Sequence, residues 1–341
     1  MTTSALAHHQ EAFQEWLEQQ EGAVTHVETH ISHIFLTPQW AYKLKKPLAL
    51  SFLDFSELET RRYYTQRELE LNQRLAPRMY RAVWPVYALG HEHFYWEPPV
   101  ADAAPVDYLL QMERMDESYR MDRRIQELPL QEKQVEQLVD LIADFHQRAT
   151  PVAEKIDPDV LLGQYLDLNS AQEWIGRELG QESSRQVATC LDQARQWVSD
   201  HRRLLEERNL RGWIRDVHGD LHTRNIFLYD PPVIFDCIEF NDAFRQIDVL
   251  NDLAFLCMDL EAMDYDWASE KAWDHYCALM PASATTDARD LMRFYKSYRA
   301  NVRLKIASLA AQEKASTAAA QDDRNQAAHY LKLLVSYWRT S

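Results

Sequence analysis

Residues 217–236 read VHGDLHTRNIFLYDPPVIFD, an acid, an amide five residues on, and a second acid beyond what reads as a short hairpin. The apolar triplets 226–228 and 233–235 flank Tyr229-Asp230-Pro231-Pro232, and a proline-stiffened turn between two apolar runs predicts two short strands. Paired antiparallel, they bring Asn225 and Asp236 together at the open end, with cross-strand neighbours roughly 5 Å apart. An amide oxygen and a carboxylate at that spacing suit one small hard cation, and magnesium takes such ligands while keeping substrate phosphates in its shell. Asp220, beside Gly219 in an irregular loop, is placed to accept a proton from an attacking hydroxyl.

The run HGDLHTRN followed by IFD resembles the aminoglycoside phosphotransferase and choline kinase branch of the protein-kinase-like fold, whose catalytic loop reads HGD where protein kinases have HRD. The longer run DVHGDLHTRNIFLYDPPVIFDCIEFNDAFRQIDVLNDLAFL is similar to a bacterial group of aminoglycoside-phosphotransferase-like proteins often fused to a P-loop kinase. No G-x4-G-K-[ST] occurs here, so that second activity is expected to be absent. The resemblance implies an α+β, two-lobed protein-kinase-like fold: an antiparallel-sheet, nucleotide-binding N-lobe over residues 1–115 and a mainly helical C-lobe over 116–341. It implies ATP and Mg2+ as cofactors and a small-molecule hydroxyl as acceptor. It makes Asp220 the catalytic aspartate that orients or deprotonates the acceptor hydroxyl, and Asn225 and Asp236 the metal ligands. His222 stands where protein kinases place a lysine and either stabilises transferred charge or hydrogen-bonds the loop.

Composition bounds the partners. A chain of 341 residues with 46% hydrophobic content is long enough for a sizeable core. A formal net charge of −16 argues against nucleic acid, which needs clustered Lys and Arg; it suits a cationic substrate or simply a solvated acidic surface. Cys190, Cys237, Cys257 and Cys277 lie far apart with no CxxC pair, which gives neither a zinc signature nor a disulfide framework and fits the reduced cytoplasm. The N-terminus lacks a positive region leading into an apolar run, and no stretch approaches the roughly 18 apolar residues of a membrane span.

Phe13, Trp16 and Leu17 predict a short amphipathic helix over 9–20. Residues 24–46 alternate as strands with a turn at Thr37-Pro38-Gln39, matching the opening hairpin and third strand of a kinase N-lobe. Thr29-His30-Ile31-Ser32 then falls where the phosphate-covering loop belongs. It contains no glycine, and the chain has only 7; by resemblance to antibiotic phosphotransferases with a serine-containing loop, Ser32 is the expected phosphate contact. His26, His30 and His33 have mixed strand parity, which favours packing or surface roles over a metal cluster.

Trp40-Ala41-Tyr42-Lys43 lines up with the VAIK-type strand, making Lys43 the candidate phosphate lysine. Lys45 shares its face; the alternative is an edge-strand charge device of Lys43, Lys45 and Lys46. Ser56-x-x-Glu59 reads as a capping box opening a helix that runs to about Leu75 and stops before Pro77. Glu68 lies on its apolar side with Tyr64, Leu71 and Leu75, so it needs a buried cation, which Lys43 supplies in a kinase fold. Residues 80–89 and 107–113 predict strands around a turn at Gly90-His91-Glu92-His93. Glu113 and Met115 are the hinge candidates for adenine, by position alone.

Val135, Leu138, Val139, Ile142 and Phe145 form a core-facing stripe, with His146 a hydrogen-bonded core histidine. Residues 155–210 predict two or three helices, an insertion that helps form the acceptor site in small-molecule kinases of this fold. Asp252 matches the aspartate that braces the catalytic loop, and Asp248 precedes it by a turn. Glu239 and Asn241 are candidate substrate or metal contacts, or salt-bridge partners of Arg245. A helix from Asp290 to about Leu309 is expected to turn Leu291, Phe294, Tyr298, Val302, Ile306 and Leu309 inward, with Lys296, Arg299 and Arg303 forming a basic stripe for carboxylates or for an anionic substrate group. The Ala- and Gln-rich stretch 310–327 reads as a solvated helix or loose connector. Two rival readings remain: a catalytically weak or inactive nucleotide-binding regulator, favoured by the glycine-free loop, and a metallohydrolase built on His218, Asp220 and His222.

Overall fold

Side chains that alternate along 25–45 require strands, and apolar stripes recurring every three or four residues elsewhere require helices. Both are present in the computed structural model, which describes residues 6–50, 53–90, 93–154, 157–281, 286–314 and 318–339. A 3-10 turn and helix α1 (Gln10–Glu21) lead into strands β1 (Thr25–Glu28), β2 (Ser32–Leu36), β3 (Trp40–Lys45), β4 (Ala49–Leu50) and β5 (Leu53–Asp54). Helix α2 (Leu58–Asn72) and strands β6 (Tyr80–Leu89), β7 (His93–Tyr95) and β8 (Asp107–Glu113) follow. Next come α3 (Met121–Glu127), α4 (Glu132–Arg148), α5 (Pro158–Leu166), α6 (Gln172–Glu178), α7 (Gln181–Asp200) and α8 (Arg202–Leu210). Strands β9 (Ile214–Asp216), β10 (Ile226–Phe227) and β11 (Val233–Ile234), helix α9 (Asp242–Arg245) and strand β12 (Gln246–Asp248) precede α10 (Val249–Ala262), α11 (Asp266–Leu279), α12 (Thr286–Glu313) and α13 (Ala318–Trp338).

The chain divides into two compact units, one running to Glu127 and taking in Arg224–Phe244, the other formed by Leu128–Thr223 and Arg245 onward. The first is built on an antiparallel sheet ordered β1-β2-β3-β8-β6-β7. Pairing of β2 with β3 sets Ile34 opposite Lys43 and Ser32 opposite Lys45. Period two therefore gives these four residues one face of the sheet and Phe35, Tyr42 and Leu44 the other. Helix α1 covers that second face, where the Phe13 ring lies 5.1 Å from Phe35 and 5.4 Å from Phe94. Helix α2 packs against β8 and β6, placing Leu69 in a cluster with Ala41, Tyr80, Leu110 and Met112.

Two local expectations fail here. The capping box does not form, because Asp54 Oδ1 accepts from both the Ser56 N–H at 2.9 Å and the Ser56 hydroxyl at 2.6 Å, a local side-chain turn that competes with the cap. Buried Arg61 ties down the helix start instead, donating to the carbonyls of Phe55 and Ser56 at 3.0 and 2.9 Å and to Asp107 at 3.0 Å. His93, expected in a turn, opens β7; His91 and Glu92 lie outside the described residues.

In the second unit α10 is buried along Val249–Leu260, as a helix apolar on most faces must be, and it packs on α11 and α12. The α4 stripe of Val135, Leu138, Val139, Ile142 and Phe145 is buried, with His146 beside it. Among its described residues the insertion holds four α-helices, α5 to α8, more than the two or three expected; Gly180, at φ +94°, separates α6 from α7. The inward stripe of α12 changes face along its length: Ile306 and Leu309 are exposed while Leu304, Ala307 and Ala311 are buried. The cause is α13, which packs along α12. Its Ala320, Ala327, Leu331 and Leu334 are buried, so the described part of the Ala-rich stretch is helix, with alanines packed inward and its Gln, Asp and Asn residues mostly toward solvent, and not a loose connector. Among the described residues no helix is long and apolar enough to cross a membrane.

Candidate functional site

The sheet-based unit holds an alternating chain of charges. Lys43 Nζ donates to Glu68 Oε1 at 2.7 Å and to Asp236 Oδ1 at 2.8 Å. Lys45 Nζ donates to the other Glu68 oxygen at 2.6 Å and to Glu239. The order is thus Asp236, Lys43, Glu68, Lys45, Glu239, with Lys45 and Glu68 each only 1% exposed at the side chain. Burial alone would raise the Glu68 pKa, but the two ammonium groups bring it down to about 2. Burial pushes Glu239 up despite its lysine, and the carboxylates around Lys43 hold its ammonium charged against burial. β3 lies between β2 and β8, so these lysines are not an edge-strand device.

Sequence explains the placement. Two residues apart on one strand, Lys43 and Lys45 share a face; Glu68 faces them from α2. One turn along that helix, Asn72 accepts from the Cys237 N–H at 2.8 Å, fixing the loop that carries Asp236. Asp236 itself has φ +64°, an uncommon left-handed backbone that Asp tolerates better than most residues. Its N–H donates to the Tyr80 hydroxyl at 3.1 Å.

The hairpin forms with Ile226 opposite Ile234. The Phe235 N–H donates to the Asn225 carbonyl at 3.0 Å, so Phe235 and not Asp236 faces Asn225, and Asp236 follows one residue on. The amide of Asn225 and the 43% exposed carboxylate of Asp236 are hard oxygen donors, the chemistry Mg2+ selects. Among the described residues no group of three or more His, Cys, Asp or Glu could hold a metal. His26 and His33 instead meet each other at 3.0 Å.

Ser32 opens β2 on the lysine face. Its side chain is buried and its hydroxyl has no hydrogen-bond partner among the described residues. The glycine-free turn before it closes through its own polar groups: the Ser32 N–H donates to Thr29 Oγ1 at 3.0 Å and the Thr29 N–H to the Ser32 carbonyl at 2.9 Å. At the end of β8 the Glu113 N–H donates to the Met79 carbonyl at 2.7 Å, and its carboxylate pairs with exposed Arg81 at 2.7 Å. Met115 lies half-buried against the cluster that Ile34, Leu36, Val83 and Phe235 also flank.

In the helical unit the HGD loop is held from behind. Asp252, buried on α10, accepts from the His218 N–H at 3.1 Å and the Gly219 N–H at 2.8 Å. It also takes His146 Nε2 at 3.1 Å, whose other ring nitrogen meets Tyr276 at 2.8 Å. Gly219 has φ +85°, a conformation glycine adopts without strain. Asp220 remains 35% exposed at its side chain, with His222 Nε2 3.3 Å from Oδ2. Burial opposes its ionisation, yet His222, His218 and Arg303 hold its carboxyl well below the usual range. Asp248 caps α10 through the Leu250 N–H and receives Arg208.

Glu239 pairs with Lys45. Arg245 forks onto Asp216 at 2.8 and 3.0 Å, the match of planar groups a carboxylate favours. The Asn241 side chain accepts from the Ala243 N–H at 3.0 Å, closing the turn into α9. The roles of Lys45, Tyr80 and Asn72 were not foreseen. Only Lys45 left a signal, its parity with Lys43.

No protein-family model matches the chain. Uncharacterised proteins of Mycobacterium tuberculosis and Mycobacterium bovis are 32% identical to it over 286 residues, covering 82% of this chain and 53% of theirs. The chain thus spans about half the length of the curated relatives it matches. Among solved structures it is similar to a choline kinase from Cryptosporidium parvum (TM-score 0.53, 10% identity, 91% of this chain and 88% of that one). A choline/ethanolamine kinase family protein from Mesorhizobium loti gives 0.51 at 11% identity, covering 96% and 99%. A thermostable mutant of aminoglycoside phosphotransferase APH(4)-Ia gives 0.51 at 13%, covering 94% and 98%. The chain has the α+β protein-kinase-like fold of these proteins, with an antiparallel-sheet N-terminal part and a helical C-terminal part.

Proposed function

We propose that the chain is a small-molecule kinase that transfers the γ-phosphate of ATP to a hydroxyl group. The observation that carries this reading is the Lys43 ammonium held between Glu68 and Asp236 at 2.7 and 2.8 Å. A lysine locked by a helix carboxylate and pointed at a second, solvent-open carboxylate is the arrangement that grips nucleotide phosphates beside a metal ligand.

In this reading Asn225 and Asp236 hold Mg2+, which neutralises charge on the phosphate oxygens when bound. Lys43 binds the nucleotide phosphates, Ser32 lies on the same sheet face, and Glu113 and Met115 present the main chain to adenine. Asp220, ionised throughout the neutral range, orients the acceptor hydroxyl and takes its proton as the oxygen–phosphorus bond forms and the bond to ADP breaks. His222 holds the Asp220 carboxylate in place. Glu239, tied to Lys45, acts by keeping Glu68 and Lys43 aligned, and Asn241 by shaping the loop beyond Asp236.

The test is a transfer screen with γ-labelled ATP and Mg2+ over amino alcohols, sugars, nucleosides, hydroxy acids and aminoglycosides. The reading expects label in at least one acceptor and none with Asp220→Ala. Tight Mg-ATP binding without transfer or hydrolysis, unchanged by that substitution, would establish the nucleotide-binding regulator instead.

A further inference from the structure

Arg299 and Arg303 stand four residues apart on α12 and so share one face, a turn apart. Arg299 is buried: its Nη1 donates to the Gly219 carbonyl at 3.0 Å and its Nε to Asn251 Oδ1 at 2.8 Å, while its Cζ lies 4.7 Å from the centre of the Phe255 ring. Its Nη2 is buried with no hydrogen-bond partner among the described residues. Arg303 is half-buried, donating from Nε to the Tyr330 hydroxyl at 3.3 Å. That hydroxyl meets Asp259 Oδ1 at 3.4 Å, and Asp259 Oδ2 accepts the Thr223 N–H at 2.9 Å. Arg299 thus bonds directly to the start of the segment Gly219–Thr223, which carries Asp220, while Arg303 is linked to its end only through Tyr330 and Asp259.

Lys296, the third member of the basic stripe, pairs with Glu261 at 2.7 Å. Among the described residues neither Arg299 nor Arg303 forms an ion pair. In a chain with 53 acidic and 37 basic residues, two guanidinium groups that make no ion pair among the described residues, with Asp220, Asp252 and Asp259 acting on them only at longer range, stand out beside the candidate catalytic aspartate. Guanidinium forks match carboxylate and phosphate, and they repel ammonium groups. The Arg303 charge is felt at the loop, where with His222 and His218 it overcomes the burial that disfavours an ionised Asp220.

We propose that the acceptor is a small hydroxylated anion, a hydroxycarboxylate or a phosphorylated polyol, whose charged group is bound by Arg303 with Arg299 behind it while its hydroxyl lies at Asp220. This rests on the phosphotransferase reading and narrows it: choline and aminoglycosides are cations, and this site disfavours them.

The test is calorimetric titration, without nucleotide, of wild type, Arg303→Gln and Arg303→Lys with four matched probes: glycerate, glycerol phosphate, glycerol and aminopropanediol. At least one of the two anions is expected to bind at least about tenfold tighter than glycerol and aminopropanediol. Arg303→Gln removes that preference, and Arg303→Lys, which keeps the charge, restores part of it. Equal or tighter binding of the amine, an anion preference that survives Arg303→Gln, or no anion binding at all overturns the proposal. Transfer of label to an amine acceptor alone would overturn it and leave the phosphotransferase reading standing.

Discussion

Lys45 Nζ lies 2.6 Å from Glu68 Oε2, both side chains all but inaccessible to water. Glu68 is thereby shared between two lysines, and Glu239 closes the chain on the far side of Lys45. Protein kinases manage with one such pair. The doubled pair joins β3, α2 and the loop beyond Asp236 into one electrostatic unit.

Replacing Lys45 by Met strands Glu239 in a buried site. Breaking a buried pair costs about 3–5 kcal/mol, and the size should depend on pH. Burial already raises the Glu239 pKa above 4.5, and losing Lys45 raises it further. A raised folded-state pKa stabilises below the unfolded value and loses that contribution as pH rises. Lys45→Met should therefore be nearly as stable as wild type near pH 4.5 and fall behind steadily toward pH 7, as urea denaturation across that range would measure. A penalty independent of pH would mean that Glu239 is not the group left stranded.

Removing Asp252 frees two main-chain donors, the N–H groups of His218 and Gly219. A buried donor left unsatisfied costs about 1–3 kcal/mol, so Asp252→Ala should lose about 3 kcal/mol in chemical denaturation. Turnover should fall further than stability alone explains, because Gly219 precedes Asp220. Asp252→Asn keeps an oxygen for only one of the two N–H groups and turns its NH2 toward the other, so it should recover only part of the stability.

The acid limb of the rate profile should report on His222. With Asp220 held below its ordinary 3.8, wild-type kcat/KM should show no fall from this group as pH drops to 5. His222→Gln removes the strongest influence opposing burial, so the Asp220 pKa rises and the acid limb moves to higher pH. A limb that stays in place would show that His222 does not set the Asp220 charge.

How much of this was legible in the sequence follows from periodicity. β6 and β8 are legible at 80–89 and 107–113, and helical phase marks Glu68 as a buried carboxylate that needs a cation, but choosing Lys43 as that cation rests on the resemblance to kinases. Period two could also say that Lys45 shares that face, but not that β3 is an interior strand. The Glu239 contact arises in an irregular loop with no period to read, and its lysine lies 194 residues away in sequence. The Ser56 cap failed because Asp54 competed for the same donors. The hairpin was read correctly as a hairpin, yet the register slipped by one, since two short strands fix it only weakly. The basic stripe on α12 is visible from spacing, whereas the pairing of Lys296 with Glu261 and the lack of an ion pair at Arg299 and Arg303 among the described residues depend on which helices pack beside it.

The measurement that bears most directly on the phosphotransferase reading is Mg2+-dependent turnover of ATP by wild type and Asp220→Ala, followed as ADP release without added acceptor. Water replaces the acceptor poorly in such sites, so slow hydrolysis is predicted for wild type, lost on removal of Mg2+ and reduced by at least about 100-fold in the variant. Hydrolysis that proceeds equally in both proteins, or none in either while Mg-ATP still binds, would contradict the account.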